Sequence, residues 1–215
     1  MKGLLIKDIQ LFLKQKKIFL IWFAITLVFL NRDPVFGISY SLFLMVIMLV
    51  GTISYDDFDN GMGFLMTLPI SRKTYVVEKY IFVMSGALVT GMITLVISVV
   101  YLLMHPTVMG ITDLLISFGM LYAIMGIMAA VYLPFQLKYG AEKGRLVLLV
   151  VTGFIFIGVF LVRKIETAEQ YAMNIGTVLN ALSPVSLMVV LLIAAAAALF
   201  ISIKISIGIV EKEEY

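Results

Sequence analysis

The sequence predicts an all-α integral membrane protein with six transmembrane helices. Its 215 residues are 62% hydrophobic and only 13% charged, whereas soluble domains carry roughly 25% charged residues. Several apolar stretches approach or exceed the about 20 residues that a helix needs to cross the hydrocarbon core. Because backbone polar groups must be paired with each other inside a bilayer, we expect these stretches to be helical.

Prolines and charged residues separate the predicted spans. All five prolines fall at or between span ends, because proline lacks the N–H that a helix interior uses. Pro134 is expected to close the fourth span and Pro184 to open the sixth. The first span is short, but without it the charge pattern of every later loop would be inverted. The predicted spans are Ile18–Leu30, Val35–Ile53, Tyr80–Met104, Thr112–Leu133, Leu146–Val162 and Val185–Ile203.

Basic residues lie mostly on one side of these spans. Of the 16 lysines and arginines, only Arg32, Arg163 and Lys164 fall on the other side. Lysine and arginine next to spans are retained in the cytoplasm, so both termini are predicted to be cytoplasmic in a multi-pass protein of the plasma membrane. The formal net charge of +3 therefore reflects topology, and no basic, aromatic-interleaved groove indicates nucleic-acid binding.

The first 17 residues form an amphipathic pattern. They are predicted to be an interfacial helix whose basic face lies against anionic lipid headgroups. Such a helix could act as a simple surface anchor or could also brace a cytoplasmic partner. The apolar face carries Leu5, Ile9, Phe12 and Leu13, and the opposite face carries Lys7, Gln10, Lys14 and Lys17.

A cytoplasmic connection of about 25 residues joins the second and third spans, and it is longer than neighbouring helices need. Carboxylates stand where a short helix would begin, at the positive end of its dipole. Apolar residues follow with the i, i+4, i+7 spacing of a helix face. The carboxylates are Asp56, Asp57 and Asp59, and the apolar stripe is Phe58, Met62 and Leu65.

Two further features bear on this loop. Ser71 is expected to cap the helix that continues into the third span, with Arg72 at the membrane boundary. A solvated acidic patch is the simpler interpretation of the loop. Exposed Phe58, Phe64 and Leu65 would nevertheless suit mere solubility poorly.

The loop also carries a near-motif. It comprises the segment from Thr67 to Lys73, the preceding turn Ser54-Tyr55-Asp56-Asp57, and the following Tyr75 and Glu78-Lys79-Tyr80. Together with the amphipathic N-terminal helix and the six-span layout, this pattern resembles the small six-span permeases of the ABC-2 type ATP-binding-cassette exporters. The layout covers the whole chain, and the near-motif covers Ser54 to Tyr80.

The resemblance implies an N-terminal interface helix and a cytoplasmic coupling helix that dock onto a separate cytoplasmic ABC ATPase. That partner would bind ATP and Mg²⁺. Two permease subunits, as a homodimer or a related heterodimer, would face each other and pass an amphipathic or hydrophobic substrate such as a peptide, an antibiotic or a lipid-like molecule. The coupling element would be about Asp56–Met66, and the implied coupling residues are Asp56, Asp57, Phe58, Asp59, Met62, Phe64, Leu65 and Arg72.

We expect one membrane domain over residues 1–215. Its predicted parts are the interface helix 1–17, spans one and two at 18–53, the coupling loop 54–79, spans three and four at 80–133, a cytoplasmic loop 134–145, spans five and six at 146–203 with an external segment 163–183, and a cytoplasmic tail 204–215.

Other function classes fit the sequence less well. The chain has no phosphate-binding loop of the form Gly-x-x-x-x-Gly-Lys-[Ser/Thr], so we expect it neither to hydrolyse ATP nor to hold a cofactor or metal of its own. An intramembrane enzyme is rejected, because the chain has no cysteine and a single histidine, His105, next to an external turn.

The main alternative is an ion-coupled transporter driven by Na⁺ or H⁺, and a membrane assembly factor comes third. An ion-coupled transporter normally uses ionisable residues at membrane depth. None occurs in the six spans as drawn, and Glu78 and Lys79 are interpreted as boundary residues at the mouth of the third span.

Small residues are expected to form the packing faces between spans, since they let helix backbones approach each other. Gly119, Gly126 and Ala130 share one side of the fourth span. A dimer interface or a substrate path is the second interpretation of these faces.

Overall fold

A computed structural model describes residues 2–57, 61–67, 69–105, 109–164 and 182–212. For residues 57, 64, 66, 141–149, 151–152 and 154–164 it describes the backbone only. All regular structure in these ranges is α-helical. The helices are α1 (Lys2–Leu13), α2 (Lys16–Leu30), α3 (Pro34–Val50), α4 (Ile53–Asp57), α5 (Gly61–Thr67), α6 (Arg72–Met104), α7 (Ile111–Lys164) and α8 (Pro184–Lys212).

Four segments of the described chain are long and apolar enough to cross a membrane. They are Pro34–Asp56, Arg72–Met104, Ile111–Gly140 and Pro184–Lys212. The predicted first span is helix α2, which has only 15 residues, fewer than the about 20 that the hydrocarbon core requires. The predicted fifth span falls in the part of α7 that follows Gly140. The all-α membrane fold is thus confirmed, and the count of six spans stays a prediction.

Capping explains where several of these helices begin. The Asp33 carboxylate accepts from the backbone N–H groups of Val35 and Phe36 at 2.8 and 3.3 Å, and Pro34 takes the first position of α3, where its missing N–H costs nothing. The Ser71 hydroxyl accepts from the N–H of Thr74 at 3.2 Å. The predicted cap of the third span is therefore confirmed, although α6 begins eight residues before Tyr80 and includes Glu78 and Lys79.

The small residues of α7 form a packing face, as the sequence predicted, and the structure shows that the helix packed against this face is α8. A β-carbon on Gly119 would lie 2.5 Å from the Met188 sulfur, and one on Gly126 would lie 3.5 Å from the Ala195 β-carbon. Helix α3 packs against α2, α6 and α7, and α8 also contacts α6. The glycines let these helices approach where lipid gives no hydrophobic drive to associate.

The prediction that Pro134 ends the fourth span was wrong. Proline lies inside α7, and the break comes at Gly140, where φ is +71°, a left-handed value that glycine adopts without a steric penalty. Pro134 cannot donate to the carbonyl of Ala130 four residues earlier. The Ser202 hydroxyl of α8 donates to that carbonyl instead, so the helix continues past the proline.

This contact belongs to a chain of hydroxyl groups that joins three helices. The Tyr80 hydroxyl lies 2.5 Å from the Ser202 oxygen and 2.8 Å from the Ser206 oxygen. Since the proton of Ser202 is used on the carbonyl of Ala130, Tyr80 must donate to Ser202 and Ser206 must donate to Tyr80. The hydrogen bonds therefore all point in one direction, from Ser206 of α8 to Tyr80 of α6, then to Ser202 of α8 and finally to the Ala130 carbonyl of α7.

We expect Ser202→Ala to lower the free energy of unfolding by about 1–3 kcal/mol, because it leaves a buried carbonyl without a donor. Unfolding in mixed detergent–dodecyl sulfate micelles would measure the change. Ser206→Ala is the matched control one turn away, because Tyr80 and Ala130 keep partners in that variant. Equal losses in the two variants would show that Ser202 does not support the proline.

Contacts at the helix ends show which ends lie together. The Arg72 guanidinium at the start of α6 donates to the carbonyls of Val210 and Glu211 near the end of α8, at 3.2 and 2.7 Å. At the opposite end of α6, the Tyr101 hydroxyl donates to the carbonyl of Asn31, which directly follows α2, at 3.1 Å. The end that holds α1, α4, α5, the first turns of α6 and the last turns of α8 is named the charged end below.

Candidate functional site

Four ionised side chains meet at the charged end. The Lys79 ammonium on α6 lies 2.6 Å from Oδ2 of Asp56 on α4 and also contacts Oδ2 of Asp8 on α1. Lys7 on α1 contacts Oδ1 of Asp56 and lies 3.3 Å from Oδ1 of Asp8. Positive and negative groups therefore alternate around a closed ring, and the ring carries no net charge. We name these four residues the charge ring.

The charge ring is almost entirely shielded from solvent. Asp8 and Lys79 are 0% exposed and Asp56 is 4% exposed, while the side chain of Lys7 is 30% exposed. Buried charges are tolerated only when they are paired and hydrogen-bonded. Each member here has two partners of opposite sign, so every charge is paired, and Oδ1 of Asp8 meets Lys7 as an ion pair without a hydrogen bond among the described residues.

Helix geometry brings the groups of α6 to the ring. Tyr75 and Lys79 are four residues apart and so share one face of the helix. The Tyr75 hydroxyl donates to Oδ2 of Asp56 at 3.0 Å, and the Lys79 ammonium lies 5.2 Å from the centre of the Tyr75 ring. Asp56 therefore accepts from two residues of α6 as well as from Lys7 of α1. Three helices are joined through one carboxylate.

Glu78 lies beside the charge ring but outside it. It is 0% exposed, and neither of its carboxylate oxygens has a hydrogen-bond donor within the described residues. The interpretation of Glu78 and Lys79 as boundary residues was wrong. Helix α6 begins eight residues before the predicted span, Lys79 contacts Asp8 of α1 and Asp56 of α4, and neither Glu78 nor Lys79 is exposed at the start of the helix.

The predicted coupling element consists of two short helices, α4 and α5. Asp56 lies in the first turn of α4, and its carboxylate takes part in the charge ring. Gly61, the first residue of α5, lies close to the end of α4, since a β-carbon on Gly61 would lie 2.8 Å from the Asp56 carbonyl oxygen. Met62 is 4% exposed in the core and Leu65 is half-buried against it. Met62 is therefore covered by this chain's own residues.

Several of the other predicted coupling residues lie outside the described side chains. Asp57 and Phe64 are described by their backbone alone, in α4 and α5, and residues 58 and 59 lie outside the described ranges. Arg72 is described, and its guanidinium joins the loop to the end of α8. A cation beside the last carbonyls of a helix interacts favourably with the negative end of the helix dipole, so the position of Arg72 stabilises the end of α8.

Helix α1 presents three faces rather than the two that the sequence suggested. Leu4 and Asp8 are buried against the bundle, and Ile6, Ile9 and Leu13 form an exposed apolar stripe. Gln10 and Lys14 are exposed on the remaining face. The placement of Lys7 against headgroups was wrong, because its ammonium turns toward Asp8 and Asp56. An apolar stripe next to a polar face still suits a helix at the membrane surface.

The predicted interface helix also ends earlier than residue 17. Helix α1 ends at Leu13, and Lys17 is exposed in the first turn of α2. The side-chain amide of Gln15, between the two helices, donates to the Tyr55 hydroxyl at 3.2 Å. The junction of α1 and α2 therefore also touches the loop that follows α3.

Sequence reasoning missed Asp8 and misjudged Lys79. Asp8 is the only acidic residue before Asp33, and a single carboxylate in a basic amphipathic helix is a signal that could have prompted a search for a buried cation. The partners could not have been chosen, because 71 residues separate Asp8 from Lys79. Only the packing of α1 on α6 brings them together.

The charge ring links α1, α4 and α6 through its ion pairs. Its carboxylates are occupied by ammonium groups, and no group of three potential metal ligands occurs among the described residues. Another polar contact joins the same region to α7, where the Gln136 amide donates to the Ser54 hydroxyl at 3.2 Å. Motion of α4 would therefore be transmitted to α1, α6 and α7.

Comparison with known proteins now adds the family. A family model described as "ABC-2 family transporter protein" matches residues 3–211. This chain belongs to the ABC-2 transporter family. No curated protein and no solved structure matches it. The resemblance inferred from the coupling loop is thus confirmed over nearly the whole chain.

Membership of the ABC-2 family gives the chain a general role. It is a multi-pass membrane protein and an ABC transporter permease, and ABC-2 permeases in general have an ABC ATPase partner. The charge ring of this ABC-2 permease joins the N-terminal helix, the loop between α3 and α6, and a membrane-spanning helix.

Proposed function

We propose that this ABC-2 permease is the transmembrane subunit of an ATP-driven exporter and that its charge ring couples movement of the α4–α5 loop to the spans. The single observation that carries the proposal is the position of Asp56. Its carboxylate holds Lys7 of α1 and Lys79 of α6 at once. A partner that displaces this loop would have to move both helices.

The proposed orientation places the charged end in the cytoplasm. Lysines and arginines of α1, α6 and α8 gather at that end, and basic residues beside spans are retained on the cytoplasmic side. Six spans with both termini inside would result if α2 and the second part of α7 also cross the plasma membrane. A cytoplasmic ABC ATPase, carrying ATP and Mg²⁺, would then meet α4 and α5 directly.

The proposed docking surface is the loop between Asp57 and Leu65, with α1 as its neighbour. Phe58, Asp59 and Phe64 are the proposed contacts with the ATPase, together with Asp57 and Leu65. Met62 is left out of this set because it lies in the core. Asp56 and Arg72 are proposed to act inside the permease, where each joins the loop to a helix, while Gln10, Lys14 and Lys17 face the membrane surface or the partner.

Export of an amphipathic or hydrophobic molecule, such as a peptide, an antibiotic or a lipid-like compound, is the proposed activity. Two permease subunits, identical or related, would form the pathway, and ATP would be hydrolysed on the partner. The support for this part is membership of the ABC-2 family, and it is an argument by analogy.

The deciding experiment is purification of the tagged full-length chain from its native membranes in mild detergent, with mass spectrometry of the bound proteins. We expect a soluble ABC ATPase in stoichiometric amount. Reversing Asp57 and Asp59 to lysine together with Phe58→Ala should release it, whereas Asp113→Lys, a reversal at an exposed residue of the opposite end, should not. Recovery of the chain alone would contradict the proposal.

An ion-coupled carrier is the second candidate, and one observation favours it. Glu78, Asp8 and Asp56 are buried in the protein, whereas the sequence alone indicated no ionisable residue within the six predicted spans. The ring carboxylates are already paired with lysines, which leaves Glu78 as the group that could exchange an ion. Flux driven by an imposed Na⁺ or H⁺ gradient through the purified chain, abolished by Glu78→Gln, would support this candidate over the exporter.

A further inference from the structure

A groove lies between α7 and α8 at the charged end, away from the charge ring. It encloses about 430 Å³ and is lined by Lys138 of α7 and by Lys204, Ile205, Gly208, Ile209 and Lys212 of α8. Its walls therefore combine three cations with apolar side chains. We name it the lysine groove.

Helix spacing explains how α8 contributes to this groove. Lys204, Gly208 and Lys212 follow each other at intervals of four residues and so share one face, over about 12 Å of helix axis. A β-carbon on Gly208 would meet no atom within 4 Å. The glycine is thus not required for helix packing, and it leaves open space between the two lysines.

Two of the lysines are held in place by aromatic rings. The Lys204 ammonium lies 4.6 Å from the centre of the Phe200 ring, and the Lys138 ammonium lies 5.0 Å from the centre of the Tyr139 ring. Contacts of this kind restrict a lysine without neutralising it. Binding a ligand to these restricted lysines would therefore cost less lysine side-chain entropy than binding the same ligand to a freely moving lysine.

The charge of the lysine groove is not balanced by its own lining. No carboxylate is among the lining residues in the described part of the chain. Lys7 and Lys79 of the charge ring provide the contrast, because each of them meets two carboxylates. Among the described residues no carboxylate pairs with Lys138, Lys204 or Lys212, and within these residues the three lysines are available for an anionic ligand.

The surroundings of the groove indicate the rest of that ligand. Ile201 and Ile205 are 58% and 53% exposed on α8, directly beside Lys204, and a face of this kind on a spanning helix contacts lipid chains. On α7, the exposed Tyr139 ring stacks on Phe135 at 6.3 Å, and exposed tyrosines are typical of the membrane–water interface. A matching ligand carries a negative headgroup and a hydrocarbon chain.

We propose that the lysine groove binds the headgroup of an anionic phospholipid. Its phosphate lies among the ammonium groups of Lys138, Lys204 and Lys212, and an acyl chain follows Ile205 and Ile201 into the bilayer. Basic pockets between membrane helices bind headgroups in this way. This binding is independent of transport and of any ATPase, so it goes beyond the proposed exporter function.

The test uses the full-length chain, delipidated in mild detergent and titrated with phosphatidylglycerol or phosphatidylcholine, with bound lipid counted by native mass spectrometry. Phosphatidylglycerol is expected to bind and phosphatidylcholine is not. The triple variant K138Q/K204Q/K212Q should lose affinity by on the order of 100-fold, since each lysine near a headgroup contributes about fivefold. The control K16Q/R32Q/K73Q removes the same charge from exposed cations outside the groove and outside α1 and should lose less than about fivefold.

Gly208→Leu keeps every charge and fills the groove, and it should also abolish the preference for phosphatidylglycerol. K138R/K204R/K212R should retain binding, which keeps the proposal testable if the glutamine variant does not fold. Equal losses in the two glutamine variants, or unchanged binding in Gly208→Leu, would overturn the proposal. If inorganic phosphate competed fully with the lipid, the lipid assignment would be overturned. It would also be overturned if the triple variant lost a bound ATPase while its lipid binding stayed unchanged.

Discussion

Replacing Lys79 by methionine is expected to lower the free energy of unfolding by about 3–5 kcal/mol, the cost of leaving buried charges without their partner. Lys79 is 0% exposed and pairs with both carboxylates of the charge ring. Methionine has a similar volume, so little of the loss would come from a cavity. Unfolding in mixed detergent–dodecyl sulfate micelles would measure the change against the native chain.

Two matched variants make this result specific to charge. Lys73→Met changes an exposed lysine two turns earlier on the same helix and is expected to stay within about 0.5 kcal/mol of the native chain. Combining Lys79→Met with Asp8→Asn and Asp56→Asn removes the three most deeply buried charges of the charge ring together, so at least half of the lost stability should return. If the combined variant were less stable than Lys79→Met alone, unpaired charge would not be the cause.

The second large effect is expected from Lys7→Gln, and it concerns coupling rather than folding. In this variant Asp56 keeps Lys79 and Tyr75, and Asp8 keeps Lys79, so the loss of stability should be only about 1 kcal/mol. The direct link from α1 to α4 would nevertheless be gone. If the chain is an ATP-driven exporter, substrate moved per ATP hydrolysed should fall roughly two- to thirtyfold, the range of 0.5–2 kcal/mol in coupling energy.

Reconstituted permease and ATPase in vesicles would provide this ratio, with substrate flux and phosphate release measured in the same sample. Lys2→Gln is the control, because Lys2 is an exposed lysine of the same helix that lies outside the charge ring. A ratio that stays at the native value in Lys7→Gln, with normal folding, would mean that α1 does not take part in coupling.

The sequence was most informative where a local pattern fixes a local structure. Apolar stretches predicted the helices that can span a membrane, the small-residue stripe of α7 predicted a packing face, and Ser71 predicted the start of α6. Each of these depends on residues close together in the chain. Pro134 was misread for the opposite reason, because the donor that replaces its missing N–H comes from Ser202 on another helix.

By itself, the sequence determined that this protein is a helical membrane protein, and the motif around the coupling loop placed it in the ABC-2 family. Only the tertiary structure decided which charges are buried and which cations remain open to an outside ligand. Lys7, Lys79 and Lys204 look alike in the sequence as basic residues beside apolar stretches. The physical reason for their different roles is long-range pairing, since carboxylates on other helices neutralise the first two and none among the described groove residues neutralises the third.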